Sequence, residues 1–164
     1  MMIRNARPED VEEIIRIEAI CFPAAEAAKA EDVRARYAAF PENFFVAEID
    51  GRIAGFVNGC ATDKPELPDE LYHDTSLHIP DGAYQTVFGL DVLPEYRRQG
   101  VAAALTSRLA LEVLALGKVP FYCAAWCNVK SVRNAVRCGF TPAWVELTAR
   151  ETDFVNKMIR QNEE

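Results

Sequence analysis

The sequence predicts one α/β domain, in the broad sense that includes α+β folds, with a mixed sheet covered by helices. The chain has 164 residues, a length typical of a single domain. Half of its residues are hydrophobic and 26% are charged, as in soluble globular proteins. The predicted elements run in the order strand, helices, hairpin, strand, helix, strand, helix, strand, which favours a sheet packed against helices.

The first half of the chain opens with a short strand over residues 3–6 and an amphipathic helix over 8–20. A second helix, or a broken pair of helices, is predicted over 24–39. Strands over 44–49 and 53–61 are joined by the two-residue turn Asp50-Gly51, a common hairpin sequence. Residues 62–82 are rich in proline and acids and are predicted to form a long loop, and such loops are usually functional or mobile.

The second half continues with a strand over 84–93 and a strongly amphipathic helix over 100–116, for which Gly117 is a natural stop. A strand over 119–126 and a short helix over 128–138 follow. A last strand is predicted over 140–149, and 151–164 form a charged tail with helical tendency. We expect all of residues 1–164 to form a single domain.

Charge and cysteine content exclude several classes of protein. The net charge of −7 disfavours general nucleic-acid binding and docking on anionic membranes. Five cysteines are an odd number without the paired spacing of a metal site, so we expect free thiols, a reducing cytoplasm and no bound metal. No signal peptide is visible, and no apolar run of about 18 residues could span a membrane.

One segment carries a chemical signal, namely residues 90–103, LDVLPEYRRQGVAA. Here a strand ends, a proline and a tyrosine form a turn, two arginines follow, and Gly100 opens the helix. The first turn of a helix has unpaired N–H groups and a partial positive charge. Small residues there let phosphates approach the backbone, so the segment predicts a phosphate or pyrophosphate site. It is neither a P-loop nor a GxGxxG dinucleotide motif.

This segment resembles motif A of the GNAT superfamily of N-acetyltransferases, whose signature Arg/Gln-x-x-Gly-x-Gly/Ala is filled by Arg97, Gly100 and Ala102. A second element is similar to the superfamily's asparagine-initiated helix, since Asn128 begins a helix that ends in Gly139-Phe140. The resemblance implies a mixed, mostly antiparallel sheet of about six or seven strands with helices on both faces. Motif A would span residues 90–116.

The resemblance also implies a substrate and a binding site. Acetyl-CoA, or another acyl-CoA, would be the acyl donor. Backbone groups of Leu90 and Val92 would hold its pantetheine arm as if it were another strand, with Asn128 and Ser131 near the arm. The pyrophosphate would be bound by backbone N–H groups of six successive residues, Arg98, Gln99, Gly100, Val101, Ala102 and Ala103, beside the side chain of Arg97.

The first hundred residues are similar in order and spacing to the arylalkylamine (serotonin-type) N-acetyltransferases. Two histidines of that branch, which relay the amine proton, fall on Thr86 and Phe88 here, and its tyrosine, which serves the leaving thiolate, falls on Ala135. Because all three are replaced, the acid–base residues of the branch do not transfer to this chain.

The catalytic residues must therefore be sought elsewhere. The Val92 N–H is the predicted donor to the oxyanion. Tyr84 is a candidate acid or proton relay and His78 a candidate base, although a packed tyrosine and a loop histidine remain alternatives. Asp91 is unusual inside a strand, and we expect it to pair with Arg97, Arg133 or another base. A bulge near Gly89 would change which residues of this strand share a face.

The predicted reaction is direct transfer of an acetyl group from acetyl-CoA to a primary amine. A small amine, arylalkyl amines included, is the first candidate acceptor, and the acids of the 21–30 and 62–82 loops would favour a cation. A protein N-terminus or lysine is the enzymatic alternative. A non-catalytic acyl-CoA-binding module is the other alternative. We expect a monomer or homodimer in the cytoplasm, with no nucleic-acid or membrane partner.

Overall fold

A computed structural model describes residues 1–22, 27–64, 69–122, 124, 126 and 128–143. Six strands and four α-helices are formed by these residues. The strands are β1 (Met2–Asn5), β2 (Phe44–Ile49), β3 (Arg52–Asn58), β4 (Ala61–Thr62), β5 (Tyr84–Gln85) and β6 (Gly89–Val92). The helices are α1 (Val11–Cys21), α2 (Ala30–Ala39), α3 (Val101–Ala115) and α4 (Val129–Arg137).

The strands form a four-stranded sheet in the order β1-β2-β3-β6 and a two-stranded sheet of β4 and β5. Every strand pair in the described residues is antiparallel. The Asp50-Gly51 turn joins β2 to β3 as predicted, and both of its residues have positive φ values, as a type I′ hairpin turn requires.

Helices cover both faces of the larger sheet, so the predicted α+β class is confirmed. Side chains of β2 alternate between two buried clusters, because successive residues of a strand point to opposite faces. Phe44 and Val46 pack with Ile14 and Ile17 of α1. Phe45 and Ala47 pack on the other face, in a cluster that contains Leu105, Leu109 and Val113 of α3.

Several predicted boundaries were wrong. The strand predicted over 53–61 stops at Asn58 and resumes as β4, and the strand predicted over 84–93 is divided into β5 and β6. The helix predicted over 24–39 begins at Ala30, and residues 23–26 lie outside the described residues. The predicted loop over 62–82 contains short 3₁₀ helices at Asp69–Tyr72 and Thr75–Leu77.

The two later strands are also corrected where the structure describes them. Within the predicted 119–126 strand, the six described residues are not in a strand, and Pro120 supplies no N–H for a ladder. Residues 140–143 are not in a strand either, while 144–149 and the predicted tail lie outside the described residues. Among the described helices, none is long and apolar enough to cross a membrane.

Candidate active site

A β-bulge separates the two sheets, and it lies near Gly89, the position at which the sequence analysis considers one. Asn58 pairs with Gly89 and Ala61 pairs with Gln85. The chain advances three residues on the first strand and four on the second between these pairs, so residues 86–88 contain one extra residue. The N–H of Phe88 donates to the Asn58 carbonyl at 2.8 Å, and that of Thr86 donates to the Cys60 carbonyl at 2.9 Å.

The bulge changes which side chains share a face. On the N-terminal side of Gly89, Val87 packs with the buried cluster on the α3 face of the sheet. Phe88 packs with the buried cluster on the α1 face. After the bulge, Leu90 and Val92 pack with the cluster on the α3 face, and Asp91 lies toward Glu18 and Cys21 of α1. Odd and even positions therefore exchange faces at Gly89, as a one-residue bulge requires.

At the outer edge of β6, the backbone groups of two residues can pair with a ligand. The Leu93 N–H donates to the Ala54 carbonyl at 3.0 Å, so alternate residues of β6 bond to β3. Val92 and Leu90 lie opposite Gly55 and Val57 at the intervening positions, and their N–H and C=O groups point away from β3. In the described part of the chain, β6 is the last strand of its sheet.

The turn after β6 brings the chain to the start of α3. A 3₁₀ helix at Pro94–Tyr96 is followed by Arg98 and Gly100, which have φ values of +64° and +84°. The first hydrogen bond of α3 runs from the Ala104 N–H to the Gly100 carbonyl at 2.9 Å. The N–H groups of residues 101–103 precede that bond and lie at the open end of the helix.

Gly100 leaves space at this helix end. A Cβ atom placed on Gly100 would meet no atom within 4 Å, and the surrounding residues 97–100 are exposed. The N–H groups at the start of α3 lie beside this open space with the positive end of the helix dipole behind them, and this arrangement fits a phosphate group. The predicted pyrophosphate residues lie together at this helix end, and the side chain of Val101 is buried among them.

The side chain of Arg97 points back to β6. Its Nε donates to the Val92 carbonyl at 3.0 Å, and the Cys21 thiol lies 3.5 Å from the same oxygen. The carbonyl of Val92 is therefore already used, which leaves its N–H as the group that can bond to a ligand at this position. This bond fixes the turn, and the predicted role of Arg97 beside the pyrophosphate stays a prediction.

The asparagine-initiated helix, α4, packs on α3. The Asn134 side chain donates to the Thr106 hydroxyl at 2.9 Å, and the Cys138 thiol lies 3.6 Å from the Ala103 carbonyl. These contacts place the end of α4 near the start of α3. The beginning of α4, at Asn128, lies toward the other end of α3.

Asn128 and Ser131 are joined to each other. The Asn128 side chain caps α4 by accepting the Ser131 N–H at 3.1 Å. The Ser131 hydroxyl is 2.8 Å from the Tyr122 hydroxyl. Both residues lie at the end of α4 that is away from the start of α3, and their predicted place near the arm stays a prediction.

A pair of buried carboxyl groups, Glu18 of α1 and Asp91 of β6, lies on the α1 face of the bulge. They are 7% and 3% exposed. A Cβ atom on Gly89 would lie 3.0 Å from Asp91 Oδ2 and 3.6 Å from Glu18 Oε2. Burial, and then the charge of Glu18, raise the pKa of Asp91 to about 8.

This pair corrects the prediction that Asp91 pairs with Arg97, Arg133 or another base. Its neighbours are Glu18 and Cys21 of α1, and Arg97 acts on it through its charge without an ion pair among the described residues. The sequence contained one signal for Glu18, because it falls on the buried stripe of α1 with Ile14 and Ile17. The sequence does not show that α1 crosses β6 at Asp91.

The candidate base His78 is a packed residue that joins the long loop to β4. Its side chain is 7% exposed, its Nδ1 accepts the Ala61 N–H at 3.2 Å, and its ring lies 4.8 Å from that of Phe40. Burial lowers the pKa of His78, against the opposing charge of Glu42. The nitrogen that could accept a proton is therefore already bonded.

Tyr84 lies in β5 opposite Thr62. Tyr84 is five residues before Gly89, so in an extended chain the Cα atoms of these two residues would be roughly 15 Å apart. The three positions at which the arylalkylamine branch has its histidines and its tyrosine are occupied by packing residues. The Thr86 hydroxyl donates to the Cys60 carbonyl at 2.9 Å, Phe88 stacks near Tyr72 at 4.9 Å, and Ala135 is buried.

Two acids predicted to favour a cationic acceptor already bond within the loop. Asp63 accepts the Ala83 N–H at 3.0 Å and Asp74 accepts the Ser76 N–H at 2.9 Å. Glu26 and Glu66 lie outside the described residues. Among the described residues, no three His, Cys, Asp or Glu side chains are grouped as metal ligands.

Comparison with known proteins identifies the family. The profile of the Acetyltransferase (GNAT) family matches residues 11–140. The uncharacterized N-acetyltransferase YkwB of Bacillus subtilis is 29% identical over 141 residues, which cover 74% of this chain and 62% of YkwB. The probable hydrolase YhcX of the same organism is 30% identical over 139 residues, covering 74% of this chain and 27% of YhcX.

A solved structure gives the same result. The GNAT-like decarboxylase GphF, in complex with isobutyryl-CoA, is 26% identical with a TM-score of 0.62, over 68% of this chain and 58% of that chain. The matched region spans about a quarter of YhcX and about three-fifths of YkwB. The chain belongs to the GNAT family. This confirms the predicted family.

Proposed function

We propose that the protein transfers an acetyl group from acetyl-CoA directly to a small primary amine. The single observation that supports this most strongly is the continuity of two binding surfaces. The outer edge of β6, at Leu90 and Val92, leads directly through the Pro94–Tyr96 turn to the open end of α3 at Gly100. The extended pantetheine arm of acetyl-CoA, which ends in a diphosphate, matches the order of these two surfaces.

The residues of the chain would divide the work of the reaction. The N–H groups at the start of α3 would bind the pyrophosphate, and Leu90 would pair with the arm. The Val92 N–H would donate to the thioester oxygen as negative charge develops on it. A fixed backbone donor of this kind contributes about 10²- to 10³-fold to kcat in other acyl transfers.

The described cysteines do not favour a covalent intermediate. Cys21, Cys60 and Cys138 are free thiols, and Cys123 and Cys127 lie outside the described residues. Burial raises the pKa of Cys21 and of Cys60, so both are protonated at neutral pH and weakly nucleophilic. We therefore propose attack by the amine on acetyl-CoA within a ternary complex, without an acetyl-enzyme.

Two measurements test the proposal. Titration calorimetry with acetyl-CoA measures donor binding, and release of free thiol from acetyl-CoA in the presence of a panel of primary amines measures turnover. We expect binding and amine-dependent release. Turnover of peptides with free N-termini or lysines alone would replace the small-amine acceptor with a protein. Binding without release would indicate a non-catalytic acyl-CoA-binding module, and an acetyl thioester trapped on the protein would refute direct transfer.

A further inference from the structure

The buried pair of Glu18 and Asp91 is the feature of the described structure that packing does not explain. Two carboxyl groups that cannot both reach water disfavour a double negative charge. Asp91 Oδ2 is buried without a hydrogen-bond partner in the described structure. An unsatisfied buried carboxyl oxygen costs free energy. A functional reason would explain why the fold retains it.

The position of the pair relates it to the predicted reaction. Asp91 lies between Leu90 and Val92, the two residues whose backbone faces the open edge of β6. Its side chain points to the α1 face, and Oδ2 lies against Gly89, where no side chain intervenes. The pair is therefore beside the strand segment at which the thioester would be held.

We propose that Asp91 is the general base that takes the proton of the acceptor ammonium, directly or through one water, and that Glu18 is a positioning residue that keeps Asp91 able to accept it. This inference rests on the proposed function. It addresses the obstacle that an alkylamine, with a pKa of about 10.4, is protonated at neutral pH and cannot attack.

The charges around Asp91 support the assignment. From α1, Glu18 carries a like charge and Cys21 supplies a thiol, and from the turn after β6 Arg97 supplies a positive charge that opposes Glu18. Arg36 of α2 acts on Glu18, and its guanidinium lies 4.8 Å from the Phe88 ring. The effect of burial and of Glu18 exceeds that of Arg97, so the pKa of Asp91 rises to about 8.

A base with a pKa of about 8 suits this proton transfer. At neutral pH a minor but useful fraction of Asp91 is ionised, and it is a stronger base than an ordinary aspartate. The balance of the reaction is simple. The ammonium gives one proton to Asp91, the nitrogen forms the C–N bond, and the C–S bond breaks to release the coenzyme as thiolate. The second amine proton reaches the thiolate, and Asp91 returns its proton to solvent.

The experiment compares pH profiles of kcat/KM for 2-phenylethylamine, or for the best amine of the panel. In the wild type we expect kcat/KM to rise with pH through a pKa near 8. Asp91→Asn should lower kcat/KM by about 100-fold or more at pH 7. It should also replace the rise near pH 8 by one that follows the fraction of neutral amine and continues toward the amine's own pKa of about 10.4. Glu18→Gln should move the rise to lower pH, because removing a neighbouring negative charge favours the ionised form of Asp91.

Two controls separate a base from a merely structural residue. Acetyl-CoA affinity should be unchanged in Asp91→Asn. Glu12→Gln, a change at an exposed position of the same helix, should leave the pH profile unchanged. A fluorinated amine such as 2,2,2-trifluoroethylamine is largely neutral at pH 7 and needs no base. Asp91→Asn should lower its acetylation by less than about tenfold.

The outcomes are distinct. If Asp91→Asn keeps the rate and the pH profile of the wild type, the inference is wrong while the proposed function stands. If Asp91→Asn does not fold, an unshifted profile in Glu18→Gln overturns the inference. Wild-type protein that acetylates no amine refutes the proposed function, and the inference with it.

Discussion

The Nε of Arg97 donates a 3.0 Å hydrogen bond to the carbonyl oxygen of Val92. This bond links the end of β6 to the turn that leads into α3, across five residues of chain. It also occupies the Val92 carbonyl, so that the N–H of that residue is the group left to bond to a ligand at the open edge. The arginine thus holds the edge of β6 and the start of α3 in a fixed relation.

Arg97 and Arg98 should therefore differ when each is replaced by alanine. Arg97→Ala removes a charged hydrogen bond to a backbone carbonyl, and we expect a loss of about 1–3 kcal/mol in the free energy of unfolding together with weaker acetyl-CoA binding. Arg98 is exposed, and Arg98→Ala should weaken binding in a salt-dependent way while leaving the stability unchanged. Denaturant titrations and calorimetry at two salt concentrations measure both. Equal stability of the two variants would contradict the role given to Arg97.

Gly100→Val tests the placement of the pyrophosphate. The φ value of +84° makes any side chain unfavourable there, and a valine side chain would extend into the open space at the start of α3. We expect acetyl-CoA binding to be lost in calorimetry and the free energy of unfolding to fall by about 1–2 kcal/mol.

Gly51→Val is the matched control, because Gly51 also has positive φ, +74°, and a Cβ atom placed on it would likewise meet no atom within 4 Å. It lies in the β2–β3 turn, away from α3. Both variants should lose similar stability, and only Gly100→Val should lose binding. If Gly100→Val binds acetyl-CoA as tightly as Gly51→Val does, the pyrophosphate is not held at this helix end.

Local sequence signals predicted the parts of the structure that depend on local chemistry. Asp50-Gly51 favours a hairpin turn in any context, and Gly117, at φ +70°, ends α3 as expected. Gly89 marked the place where a bulge could occur, since a glycine within a strand often marks one, but the sequence predicted a continuous strand over 84–93. The open helix end at Gly100 could be predicted from the order of residues in motif A alone.

The contacts that the sequence did not predict are between distant elements. Glu18 and Asp91 are 73 positions apart in the sequence, and their contact depends on how α1 crosses the sheet. His78 was placed in a loop because residues 62–82 are rich in proline and acids, yet its ring packs on Phe40. Side-chain direction at these sites is decided by tertiary packing, which periodicity does not report.

Asn128 offers a way to separate stability from binding. Asn128→Ala removes the cap of α4 and should cost about 1 kcal/mol. Asn128→Asp keeps an oxygen to accept the Ser131 N–H, so its stability should match the wild type. If the amide N–H₂ of Asn128 contacts the coenzyme arm, Asn128→Asp should nevertheless weaken acetyl-CoA binding. Thermal unfolding and calorimetry on both variants check this, and unchanged binding in Asn128→Asp would limit Asn128 to capping.

His78 should make the stability of the fold depend on pH. Burial lowers the pKa of His78 in the folded state, so the folded protein favours the neutral ring, while the unfolded chain takes up a proton near pH 6.5. The contribution of His78 is therefore fully present above about pH 6.5 and is lost as the pH falls from there through the lower pKa of the folded state. Protonation would also place a proton on Nδ1, which accepts the Ala61 N–H.

The variant His78→Asn keeps an oxygen near the position of Nδ1 but does not titrate. We expect urea unfolding of the wild type to show a steeper fall in stability between about pH 7 and pH 5 than His78→Asn shows. The carboxylates protonate equally in both proteins, so the difference between the two curves isolates His78. His73→Asn is the control, since the side chain of His73 is 72% exposed, and it should follow the wild-type curve. Parallel curves for wild type and His78→Asn would show that His78 has no lowered pKa in the folded protein.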